Sequence, residues 1–362
     1  MPRFENDVLG LISQEDWLDA GFDQSFVTRP NDPIDTLVGD IRTDNILAHW
    51  ETIAAEYQTP VMAQFHAFDT EAQKTFRPPV DIHDIEKGLI KVKIDLSERL
   101  RALKRAGVKN EALYDFVMND GIRLADQVVT RAHVAKNEMI ATGAVTVNEN
   151  GLNLNIDYGV PNDQKGLSLD FGEGATAPVD VQLENLRLAA AAKGVNINGA
   201  VTSRSMLTRF RKNAAIQKAV NGTARQGAMV SMEDLRSYFS TEYGIDNIVV
   251  NDLTYGVAGP VTNGRPTQVQ KRYFPINGMT FFGAAPNGKL GDGLWGDPPE
   301  TDVQDLMESV TGAENSPYVF ITQWTEKDPA VLWTKASALF IPVLYQPTSL
   351  FITSATETAA NA

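Results

Sequence analysis

Cysteine is missing altogether from the 362 residues, which removes disulfides, thiolate metal sites and cysteine nucleophiles together and points to a reducing compartment. Long apolar runs are missing too: nothing approaches the ~18 consecutive apolar residues of a membrane span. The opening MPRFENDVLGLISQEDW has no basic region leading into an unbroken apolar core, so the sequence reads as soluble and unexported. Basic residues are in deficit, 32 Lys and Arg against 46 Asp and Glu, and the resulting formal charge of -14 argues against duplex binding as the main role. An acidic wall would instead keep a nearby nucleic acid from sticking. At 43% apolar the chain can bury a core of one large or two ordinary domains.

What is present is organised unevenly. Residues 1–45 alternate short apolar clusters with the turn-rich TRPNDPIDT and cannot form a core alone, so they must lie on the chain's own body or on a neighbour. Residues 46–96 predict a long two-stranded projection, with strands at Val61–Asp69 and Leu89–Leu96 and a proline-rich tip at Arg77, Pro78 and Pro79. A ribbon of that length is marginal in water and needs a cover. SERLRALKRAGV predicts a short helix, and a much longer one runs from Asn110 to Gly143, with Leu113, Val117, Leu124, Val128, Ala132, Ala135 and Met139 on one face. At ~1.5 Å per residue it spans roughly 50 Å, a strut rather than an ordinary core helix. Gly143 supplies its exit, and Asn150-Gly151 turns a hairpin in which Val145 and Val147 face Leu152, Leu154 and Ile156.

Residues 175–320 predict a mixed lobe: helices in VDVQLENLRLAAAAKG, SRSMLTRFRKNAAIQKAV and MEDLRSYFSTEYG, strands in INGAVTS and DNIVVNDLTYG, and a hairpin turning at Asn277-Gly278. The closing strands are interrupted at Pro329, Pro342 and Pro347, which favours edge or bulged positions.

Catalytic patterns fail on inspection. GAAPNGKL, residues 283–290, has the glycine and lysine spacing of a phosphate loop, but Leu290 stands where Ser or Thr would hold magnesium, and the following GDGLWGDPPE cannot open a helix. His49, His66, His83 and His133 lack close ligand spacing; His66 and His83 are the pair a hairpin could bring together. Acid pairs such as Asp81 with Asp84 or Asp297 with Glu300 are expected by chance among so many carboxylates. Ser231, Ser237 and Ser240 lie on or beside a predicted helix rather than a strained nucleophile turn. The basic run from Arg209 to Lys218 reads as a solvated face or as ion pairs to an acidic neighbour, and Tyr273, Phe274, Phe281 and Phe282 as lobe core. No catalytic, cofactor-binding or metal residue is assigned, and no cofactor is expected.

Four segments, TPVMAQFHAFDTEAQ, IEKGLIKVKIDLSERL, VVTRAHVAKNEMIATGAVTVNENGLNLNIDYGVP and DPAVLWTKASALFIPVL, resemble the lambda-type major capsid proteins of tailed bacteriophages, the major capsid protein E family. The resemblance implies an α+β chain with the Hong Kong 97 phage capsid fold. It implies an N-terminal arm at 1–45, an extended β-hairpin loop at 46–96, a peripheral domain at 97–174 with its spine helix at 110–143, an axial domain at 175–320, and a return to the peripheral domain at 321–362. It further implies a non-enzymatic head protein that assembles with itself into hexamers and pentamers of an icosahedral shell around packaged double-stranded DNA, in the virion, after assembly in the host bacterial cytoplasm. A separate scaffolding protein, a portal and a decoration protein are the implied partners; no membrane is involved. Some relatives weld subunits through a lysine–asparagine bond, and nothing singles out Lys91, Lys93 or a particular asparagine for that role. An encapsulin-like nanocompartment shell is the alternative within the same fold, and a soluble α/β nucleotide-binding enzyme using the 283–290 loop is the alternative outside it.

Overall fold

The computed structural model describes residues 31–53, 62–63, 80–96, 110–172, 177–225, 227–262, 265–283, 288–299, 318–327 and 330–357. Pro33 opens a 3-10 turn, Pro33–Thr36, and the Asp32 carboxylate caps it by accepting the Ile34 N–H at 3.1 Å. The turn sends Ile34, Leu37 and Val38 into the chain's own core, so residues 33–38 lie on their own body. The first 30 residues of the expected arm lie outside the described residues.

Strand β1 (Val38–Arg42) pairs in parallel with Gly291–Gly296. Strands β2 (Leu47–Ile53) and β3 (Val80–Glu86) form an antiparallel two-stranded ribbon, and β4 (Gly88–Leu96) turns away to pair with Ala330–Leu344. This pairing differs from the two-stranded projection expected of Leu89–Leu96. Leu89–Leu96 is extended, but its alternating Ile90, Val92 and Ile94 pack on the main core, and such a face is drawn into a covered sheet rather than a free ribbon. Of the other expected strand, 61–69, only 62 and 63 are described, and they are not in a strand. The short helix expected from Ser97 also lies outside the described residues.

Helix α1 (Asn110–Thr142) is the predicted strut. Leu124, Val128, Ala132, Ala135 and Met139 are buried along it, while the side chains of Leu113 and Val117 lie outside the described set. Gly143, at φ 72°, ends the helix in the left-handed region. β5 (Ala144–Glu149) and β6 (Leu152–Asp157) then form the predicted hairpin, with positive φ at both Asn150 (49°) and Gly151 (83°), as a type I′ turn requires.

After β7 (Leu167–Asp170) comes the lobe: α2 (Val179–Ala192), β8 (Ile197–Thr202), α3 (Arg204–Lys212), α4 (Ala214–Asn221), α5 (Met232–Tyr243) and β9 (Asn247–Val250). Ser203 and Ser231 cap α3 and α5 through their side-chain oxygens, and Asn213 both ends α3 and caps α4, so the basic run is split between two helices. Next come β10 (Thr254–Thr262), β11 (Arg265–Arg272), β12 (Gly278–Gly283), β13 (Gly291–Gly296), β14 (Phe320–Lys327), β15 (Ala330–Leu344) and β16 (Leu350–Thr356). The body sheet has the order β1-β13-β15-β14 with β4 also on β15, and the lobe sheet the order β7-β16-β12-β8-β9.

Two further pairings differ from the expectation. The antiparallel ribbon of the lobe is β10–β11, paired from Thr254 with Arg272 to Thr262 with Arg265, and β12 pairs with β8 and β16 instead of β11. Asn-Gly occurs at both 263–264 and 277–278, and the run before the second, Phe274 included, is held in the main core rather than in a ribbon. The proline-bearing closing strand β15 is central, flanked by β4, β13 and β14. Pro342 sits in its last stretch, 341–344, where β13 runs along one edge and the β4 pairing has already ended at Phe340; the edge preference of proline operates on that stretch, not on the whole strand.

The lobe sheet separates two cores. Met279, Phe281 and Phe351 point into the core under α2, α3, α4 and α5, whereas Phe282, Leu350 and Ile352 join the core around α1, because side chains alternate along a strand. The aromatic cluster expected to be lobe core is therefore divided, with Phe281 in the lobe and Phe274 and Phe282 against the α1 side.

Candidate assembly surfaces

Ribbon β2–β3 has two unlike faces. Ala48, Trp50 and Thr52 are buried inward; Trp50 stacks on His83 with centroids 5.0 Å apart and leans on Tyr158 at 6.1 Å. The outward face carries Leu47, His49, Glu51, Ile82, Asp84 and Glu86, all exposed, with Leu47 52% and Ile82 62% accessible. His49 Nδ1 lies 2.7 Å from Asp84 Oδ1 on the facing strand. A ribbon exposing aliphatic side chains among carboxylates, with no third strand among the described residues, is a surface made to be covered.

Its root is held by one buried lysine. Lys87, between β3 and β4, sends its ammonium to Thr43 O at 2.9 Å, Thr43 Oγ1 at 2.5 Å, Asn45 O at 2.6 Å and Trp295 O at 3.2 Å. Its own N–H donates to Ile46 O at 3.0 Å. One cation thus ties the strand entering the ribbon, the strand leaving it and the body sheet; burial pushes its pKa below the usual lysine value, against the pull of Asp297 and Asp44. Beside it, Arg42 grips Asp297 through two 2.8 Å bonds.

Deeper lies a polar node that the apolar periodicity of α1 did not reveal. Lys136, fully buried, reaches Asp35 Oδ1 at 3.0 Å, Asp40 Oδ2 at 2.9 Å and Val38 O at 3.3 Å. Asn137 donates to Asp32 Oδ2 at 2.7 Å, and Asn251, just past β9, donates to Asp32 Oδ1 at 2.9 Å and Asn137 Oδ1 at 2.8 Å. His133 sits between Asp32 and Asp35 at 3.5 and 3.6 Å. This node fastens the N-terminal turn, α1 and the lobe to one another. The available signal was TRAHVAKNEM, where His, Lys and Asn fall beside the core positions of a helix.

The candidates for chemistry are dispersed. The 283–290 loop, of which 284–287 lie outside the described residues, leads into strand β13, and Leu290 is in the core with its N–H on Leu37 O at 2.8 Å. Lys289 pairs with Asp292 at 3.2 Å. His83 is occupied by Trp50 and by Thr52 Oγ1 at 2.9 Å; His66, the other member of the pair a hairpin could bring together, lies outside the described residues. Asp81 and Asp84 follow one another along the ribbon, Asp297 holds Arg42, and Glu300 lies outside the described residues. Arg209 pairs with the chain's own Glu357 and reaches Asn277 Oδ1 at 3.2 Å, while Arg211 donates to Val230 O at 2.6 Å. Ser231 caps α5. Among the described residues no group of three or more His, Asp or Glu is placed to hold a metal, and no helix is long and apolar enough to cross a membrane.

The sequence profile of the family described as phage major capsid protein E matches residues 93–355. No curated protein matches the chain. Among solved structures, a prophage protein of Escherichia coli CFT073 described as its capsid protein is 11% identical with a TM-score of 0.53, over 94% of this chain and 97% of that one. A phage-related protein of Bordetella bronchiseptica RB50 is 13% identical with a TM-score of 0.51, over 95% and 97%. The capsid protein of cyanophage A-1(L) is 12% identical with a TM-score of 0.50, over 91% and 94%. At these identities the structures speak for a shared fold.

Proposed function

This chain belongs to the phage major capsid protein E family, has the Hong Kong 97 phage capsid fold and is a structural component of the virion shell; from that premise we propose that its copies form hexamers and pentamers of an icosahedral head enclosing double-stranded DNA. The proposal retains the division of the chain into arm, extended loop, peripheral domain, axial domain and C-terminal return, with the projecting part of the extended loop drawn in to the β2–β3 ribbon. A separate scaffolding protein, a portal and a decoration protein complete the partner set, with assembly in the host cytoplasm.

The observation that carries this reading is the outward face of β2–β3, where Leu47 and Ile82 stay exposed beside Glu51, Asp84 and Glu86. A monomer gains nothing from that arrangement, whereas a neighbouring copy seated on it buries both aliphatic side chains. A head-to-tail contact of this kind closes into a ring when its rotation allows. The non-enzymatic reading rests on membership of a capsid protein family.

Electron micrographs of the purified chain, alone and with a co-expressed scaffold, test the proposal. Rings and closed shells are expected; a monodisperse protomer under every condition overturns it. Removing residues 70–80 is expected to leave soluble, folded chains that no longer close into shells, and normal shells from that variant would refute a clamping role for the projection.

A further inference from the structure

A second ribbon, β10–β11, leaves the lobe and pairs with no third strand among the described residues. Between Thr254 and Arg272 the sequence holds Arg265, Lys271 and Arg272 and no carboxylate, in a chain of net charge -14; Arg272 is paired with the chain's own Asp252 at 2.5 Å, so Lys271 is the described, exposed cation that a partner can meet. The β2–β3 ribbon is its opposite, with Glu51, Asp81, Asp84 and Glu86 and neither Lys nor Arg. Each also exposes aliphatic side chains. Val257 and Val269 face each other in register and are 36% and 48% accessible. Period-two alternation puts exposed Lys271 on their face, beside the Tyr255–Tyr273 ring contact at the ribbon's base. On the acidic ribbon Leu47 and Ile82 share a face with Glu51, Asp84 and Glu86.

We propose that the acidic ribbon β2–β3 of one copy lies against the basic ribbon β10–β11 of a second copy, with Leu47 and Ile82 meeting Val257 and Val269 and Lys271 meeting Glu51 and Asp84. The inference rests on the capsid reading, because it needs many copies in register. Charge and apolarity agree on the partner. Opposite charge along two ribbons steers the encounter and penalises like-with-like docking. The aliphatic pairs supply the apolar centre that such a contact needs. Because the two surfaces differ, the contact is head-to-tail and can propagate around a ring. Duplex DNA is the weaker occupant, since Val257 and Val269 have nothing to bury against a phosphate backbone.

The chain has no cysteine, so introduced thiols report cleanly. Shells of the Ile82→Cys/Val269→Cys double variant, mildly oxidised, are expected to give a ladder beyond dimers on a non-reducing gel, while either single variant gives dimers at most. Lys271→Glu is expected to lower shell yield about tenfold, and adding Glu51→Lys to restore it to within about threefold of wild type. Wild-type chains that form no shells overturn the capsid reading itself. Wild-type shells with no ladder from the double variant, together with normal assembly of Lys271→Glu, overturn the ribbon pairing alone. Normal Lys271→Glu shells that fail only to retain duplex DNA overturn it in favour of a nucleic-acid contact.

Discussion

Replacing Lys87 with Met keeps the length and apolar stem of the side chain and removes only the cation that gathers Thr43 O, Thr43 Oγ1, Asn45 O and Trp295 O. Three ammonium protons can serve three of those four acceptors fully. Hydrogen bonds to a charged group contribute roughly 1.5–3 kcal/mol each, so the gross loss is about 4–9 kcal/mol. Relief from burying a charge offsets several kcal/mol of it. The balance is a cost of about 3 kcal/mol, a factor of about 150 in a local opening equilibrium. Because the acceptors all lie at the ribbon root, the effect is local. Amide exchange in Leu47–Ile53 and Val80–Glu86 should accelerate by about a hundredfold, while Leu124 to Ile140 of α1 keeps its protection. Lys87→Arg should fall between the two, since a planar fork suits clustered backbone oxygens less well than a compact ammonium. Uniform acceleration across ribbon and helix, or none in the ribbon, would refute Lys87 as the fastening.

The buried node predicts an asymmetry. Lys136→Met leaves Asp35 and Asp40, whose side chains are 36% and 31% accessible and can be hydrated, whereas Asp35→Asn/Asp40→Asn strands a fully buried ammonium; urea unfolding of unassembled protomers should show a loss of about 1–2 kcal/mol for the first and about 3–5 for the second, and the reverse order would refute the two carboxylates as the partners that hold the lysine. Asp157 accepts from Lys165 Nζ at 2.9 Å and from the Gly159 N–H at 3.0 Å, chiefly the lysine holding its carboxyl below the ordinary 3.8. A depressed carboxylate stabilises the fold above its unfolded pKa and loses that contribution as pH falls through the lower folded value, so Lys165→Met should move the Asp157 titration up toward 3.8 by NMR; an unmoved titration would exclude the pair as its cause.

Elements fixed by neighbouring residues were legible in the sequence. The strut was expected at 110–143 and ends at Thr142 because Gly143 adopts the left-handed exit; the hairpin at Asn150-Gly151 and the lobe helices followed from turn and cap chemistry in the same way. Pairings across long separations were not. Nothing local to Leu89–Leu96 says that its partner is more than two hundred residues away, and nothing local to Asn277-Gly278 says that the strand after it pairs with β8 and β16 rather than with the residues before it. Lys87 and Lys136 are not legible for a related reason: apolar periodicity marks where a core lies, but a cation buried among carbonyl and carboxylate oxygens carries no periodic signal.

These features also locate where one chain could yield to different surroundings. Residues of β12 alternate between two cores, Met279 and Phe281 into the lobe and Phe282 toward α1, and Thr280 Oγ1 donates to Ile140 O at 3.0 Å. Rotating the lobe against the helix would uncover the α1-facing side of this sheet, Phe282, Leu350 and Ile352, at roughly 25 cal/mol for each Å² exposed. Swinging the β2–β3 ribbon uncovers a smaller set of described contacts: Ala48, Trp50 and Ile85 against the main core, and the Lys87 fastening at its root. In the proposed shell of hexamers and pentamers, adaptation between the two environments is therefore expected at the ribbon root, with lobe and strut held together.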